Sequence, residues 1–71
     1  MQLEQAIAIR RAINDLYSEG ADCGNFAIAL LTLGMKGKCR EYALRARNIF
    51  ERIGLPALVK MMDQVIKASE E

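Results

Sequence analysis

The chain contains no histidine, and Ser18 and Ser69 are its only serines. Histidine is the commonest metal ligand and the commonest general base, so its absence removes most routes to hydrolytic or metal-assisted chemistry. The carboxylates are scattered over separate predicted helices, and no nucleophile has an evident base beside it. The expectation is a protein that is not an enzyme and carries neither cofactor nor metal. Cysteine is scarce too: Cys23 and Cys39 lack the CxxC spacing of a zinc site and are expected to be reduced core residues. No apolar run approaches the 18 or more residues of a membrane span, and MQLEQAIAIRR lacks the basic start and apolar stretch of a signal peptide. A cytoplasmic location away from membranes follows as an expectation. Nor is there an alternating apolar–polar strand pattern, a low-complexity run or a linker, and residues 1–71 are read as one helical domain.

The 71 residues are 52% apolar. A chain of this size buries only roughly 60% of its unfolded surface on folding. Some apolar surface is therefore expected to remain for a partner protein or a second copy. Net charge is +1 but unevenly spread. Between residues 36 and 52, Lys36, Lys38, Arg40, Arg45, Arg47 and Arg52 outnumber Glu41 and Glu51, while the flanking segments are net acidic.

Helical periodicity divides the chain into four predicted elements. Over residues 3–19, Ala6, Ile9, Ile13, Leu16 and Tyr17 recur at three- and four-residue steps, and Gly20 is read as the stop. Leu3 and Ile7 fall beside that stripe and are candidates for self-association. GADCGN then reads as a turn, with Asp22 and Asn25 as rival N-caps of a short helix over 24–33. Its FAIALLTL core is apolar on every side and should be central. Gly34 and Gly37 punctuate the next turn. A third helix over 38–53 turns Cys39, Tyr42, Ala43, Ala46, Ile49, Phe50 and Ile53 inward, and Gly54 ends it. Leu55-Pro56 opens a fourth over 56–68, with Leu58, Met61, Met62, Val65 and Ile66 inside and the last residues frayed. The expected fold is an all-α, small compact bundle of three longer helices plus one short buried helix.

The third helix also carries the leading candidate site. Arg40, Leu44, Arg47 and Glu51 form one outward stripe, beside a polar one of Glu41, Arg45, Asn48 and Arg52. A leucine between guanidiniums is the composition of a protein-binding surface, so these four residues are the expected contact with a protein partner. GMKGK, by contrast, lacks the GxxxxGK[ST] spacing of a phosphate loop.

Helix, GMKG turn and basic helix together resemble the GXXG loop of KH domains. That resemblance implies nucleic-acid binding by Lys36 and Lys38 with Arg40, Arg45 and Arg47 behind them, although the chain shows no strand pattern where KH domains have a sheet. The Leu33-Gly34-Met35 step is similar to the turn of a helix-turn-helix, which implies the same class of partner. Leu33-Gly34, Ala46 and Phe50 are similar to fragments of a tetratricopeptide repeat hairpin, which implies protein binding. The sequence thus favours a small adaptor, inhibitor or regulatory protein that binds another protein and is a possible homodimer. Nucleic-acid binding is the alternative.

Overall fold

The computed structural model describes the backbone of residues 2–71 and the side chains of residues 9–71. It consists of three helices, α1 (Gln2–Thr32), α2 (Lys36–Arg52) and α3 (Pro56–Glu70), with no strand among the described residues. The all-α expectation holds; the count of four helices does not. The first helix and the short buried one are a single helix that runs through Gly20 and Gly24.

Backbone conformation separates the glycines that end helices from those that do not. Gly34 and Gly54 have φ of 77° and 75°, whereas neither Gly20 nor Gly24 has positive φ. At the end of α1, the Gly34 N–H donates to the Leu31 carbonyl and the Met35 N–H to the Leu30 carbonyl. Gly54 to Glu51 and Leu55 to Phe50 repeat that arrangement at the end of α2. Both are Schellman closures, which require a left-handed residue and are commonly followed by an apolar one, here Met35 and Leu55. Gly20 and Gly24 instead leave room for a neighbour. A Cβ on Gly20 would stand 2.9 Å from a Phe50 ring carbon, and one on Gly24 would stand 3.3 Å from the Met62 methyl. Glycine inside a helix costs about 1 kcal/mol relative to alanine, and the close approach it permits offsets that cost.

Small residues on both sides make α1 and α2 a tight antiparallel hairpin. Gly20 lies against Ile49 and Phe50, Gly24 faces Ala46, and Ala27 and Leu30 cluster with Cys39 and Ala43. On the other flank of α2, Met62 of α3 packs with Ala46 and Phe50, and Val65 and Ile66 close over the Ala27–Ala43 cluster. Arg47 ties the two helices together, its guanidinium donating to Asp63 at 2.5 Å and to Glu51 at 3.2 Å. The last helix, α3, extends to Glu70, two residues beyond the expected end at 68, and Ser69 there is buried with its hydroxyl donating to the Ile66 carbonyl.

The remaining corrections concern the core. Ile9 and Ile13 are exposed, Ile13 at 47%, because α2 passes Gly20 only in its last turn, at Ile49 and Phe50, and among the described side chains before Gly20 only Leu16 is half-covered. Phe26 and Ile28 are exposed as well, so the apolar segment 26–33 buries only Ala27 and Leu30 fully, with Leu31 partly covered. Met61, expected inside, is 46% exposed. The molecule measures 50 × 19 × 13 Å, and its long dimension is set by α1. A 31-residue helix is about 46 Å long, against about 25 Å for the 17 residues of α2.

Candidate functional site

Ile9, Ile13, Leu16, Gly20, Gly24, Ala27 and Leu31 follow one another along α1 at steps of four, three, four, four, three and four residues. One apolar seam therefore runs the length of the described helix. From Gly20 onward it is packed under α2. Before Gly20 it is bare except for partial cover at Leu16, and Tyr17 stands at the junction with its ring 6.2 Å from that of Phe50.

Beside this junction lies the second unpartnered feature. Helices α1 and α3 both pack on α2 but scarcely touch each other, and a groove of about 260 Å³ opens between them. Phe50 and Met62 form its floor; Tyr17 and Ile28 on one rim and Met61 on the other are exposed. Ala21, Gly24, Asn25 and Leu58 complete the lining, in which no charged side chain takes part. From Tyr17 to Ile28 the groove follows α1 for three turns, about 16 Å. The sequence pattern missed it because Met61 and Ile28 read as interior positions. Their exposure follows from α1 and α3 being held apart by α2, which is a tertiary fact.

On the outer face of α2, Arg40 and Leu44 are exposed, Leu44 at 41%, while Arg47 and Glu51 are joined in the ion-pair cluster with Asp63. The hydrogen bond to Asp63, then its charge, holds the Arg47 guanidinium still more firmly protonated than usual. Of the predicted contact stripe, Arg47 alone thus links α2 to α3, and Glu51 pairs with it within α2. Arg45 is not paired with Glu41 but lies over Tyr42, 5.4 Å from the ring centre, and Phe26 meets the same ring edge-on at 4.8 Å.

Lys36 and Lys38 are exposed, but the GMKG segment is not an open loop. Gly34 closes α1, Met35 precedes α2, and Lys36 and Gly37 already belong to the first turn of α2. The pairing of residues 20, 24 and 27 with 50, 46 and 43 keeps α2 alongside α1, unlike the steep crossing of a helix-turn-helix. Both cysteines are free thiols: Cys39 is fully buried and Cys23 half-buried. Burial pushes both thiols up from their ordinary value, and at Cys23 the neighbouring carboxylates of Glu19 and Asp22 add to it. The side chains of Leu3 and Ile7, the predicted self-association residues, lie outside the described residues. No described helix is long and apolar enough to cross a membrane. No protein-family model, curated protein or solved structure matches this chain.

Proposed function

We propose that this protein is a protein–protein interaction module that receives an amphipathic helix in the groove between α1 and α3. The observation that carries this reading is the groove itself: three helical turns long, without a charged lining residue, floored by two buried core side chains and rimmed by exposed Tyr17, Ile28 and Met61. A helix laid there would complete a four-helix arrangement around Phe50 and Met62 and bury apolar surface that water now reaches. Methionine suits such a floor and rim, because its unbranched thioether adapts to different incoming side chains. The outer face of α2 ranks below the groove, since Leu44 is its only exposed large apolar residue and Arg47 is held by Asp63.

The reading is tested by selecting amphipathic helical peptides from a displayed library against the Ile13→Glu protein, whose own projecting seam carries a charge. Selected peptides should shift the methyl resonances of Ile28, Leu58, Met61 and Met62, and Met61→Glu should abolish their capture. Leu44→Asp, and Lys36→Ala combined with Lys38→Ala, should leave capture unchanged. A selection that yields no peptide, or peptides sensitive to Leu44→Asp and indifferent to Met61→Glu, refutes the groove as the binding site.

A further inference from the structure

The same chain carries a groove that lacks a helix and a helix that lacks a groove. Residues 9–16 of α1 present Ile9, Ile13 and Leu16 on one face, and beyond the hairpin only Leu16 is even half-covered. Because α1 is one uninterrupted helix from Gln2 to Thr32, this segment cannot fold back into the groove of its own chain. We infer that it fills the groove of a second copy, each chain serving as donor and acceptor at once. The inference rests on the groove reading and names the groove's partner.

Two further points support a second copy as the occupant. Donor and acceptor are also chemically alike, since neither the Ile9–Ile13–Leu16 stripe nor the groove lining contains a charge that pairing would have to desolvate. Finally, a short helical segment without tertiary contact is only marginally stable in water, so residues 9–16 gain most from being covered.

The geometry is closed. Tyr17 follows Leu16, the last residue of the bare seam, and lines the start of the groove. Two α1 helices crossing antiparallel at Tyr17 would bring Ile13 beside Ala21 of the partner subunit, residues that lie within about 80° of each other around α1. The reciprocal contact would then form by the same two-fold operation, which makes a dimer rather than a chain of copies.

Sedimentation of the full chain through the micromolar range should give twice the monomer mass. Ile13→Glu and Met61→Glu, both at exposed positions and expected to keep their helical circular dichroism, should each halve it. Mixing the two variants should restore dimers, because the intact seam of Met61→Glu fits the intact groove of Ile13→Glu. A wild-type chain that stays monomeric overturns self-pairing, while the peptide selection still decides the groove reading separately. Dimers that survive Met61→Glu but not Ile13→Glu would mean seam pairing with seam, and a mixture that stays monomeric would mean no reciprocal exchange; either overturns the inference.

Discussion

The two halves of α1 share a helix, a face and a spacing, yet they differ in residue size. From Gly20 to Ala27 the seam is built of glycine and alanine, and the Phe50 ring of α2 packs within 2.9 Å of where a Gly20 Cβ would stand. From Ile9 to Leu16 it is built of isoleucine and leucine, and no element of the same chain covers it fully. Small residues suit a partner that is covalently near and held at short distance by a three-residue turn. Large ones supply the buried area an interface needs when association must also offset the loss of translational freedom. Apolar periodicity alone does not distinguish these situations; side-chain volume along the seam does.

The largest expected effect tests whether the halves differ energetically. Phe50→Ala, at 3% exposure under the packed half, should lower stability by about 3–5 kcal/mol through lost burial and a residual cavity. Ile13→Ala, made in the monomeric Met61→Glu background, should change it by less than about 0.5 kcal/mol, as at other surface sites. Urea denaturation measures both, and comparable losses at the two positions would erase the contrast drawn here.

An intermediate effect sharpens the account of the packed half. Gly20→Ala gains about 1 kcal/mol of helix propensity but forces its methyl into the Phe50 ring, for a net loss on the order of 1 kcal/mol. Gly24→Ala meets the flexible end of Met62 at 3.3 Å and the Ala46 methyl at an ordinary 3.9 Å, and should be neutral or stabilising by up to about 1 kcal/mol. Thermal melts of the two variants should therefore move in different directions, and parallel shifts would show that the close approach at Gly20 is not the reason for that glycine.

The smallest effect is a pH dependence of the packed half, where both thiols sit. Their folded-state pKa values are raised above the ordinary 9.0 by burial, with Glu19 and Asp22 contributing at Cys23. The unfolded chain then loses thiol protons first as pH rises. The associated stabilisation is complete below about pH 9 and is lost as pH climbs through the folded values. Urea midpoints of the wild type should fall more steeply above that pH than those of a variant with Cys23→Ala and Cys39→Ala. Equal slopes would mean that the thiols titrate alike in both states.

What the sequence by itself determined is whatever depends on local spacing and local chemistry. Strand-free periodicity made the protein all-helical, the inner faces of the last two helices were legible as 39, 43, 46, 49, 50 and 62, and the turn at Leu55-Pro56 was read from a proline at a first helical position. The outward direction of Arg40 and Leu44 was legible for the same reason, since helical phase is fixed by residue number. Tertiary structure alone decided the fate of the glycines: Gly20 and Gly34 look alike as helix breakers, and only the ring of Phe50 over one and the left-handed closure at the other tell them apart. It also decided which apolar residues are left in water. Burial depends on whether a second element reaches a given turn, and the 17 residues of α2 pass Gly20 only in their last turn. Ile13 and Phe50 therefore look equally internal by period, and only the difference in helix length leaves the first bare and the second enclosed.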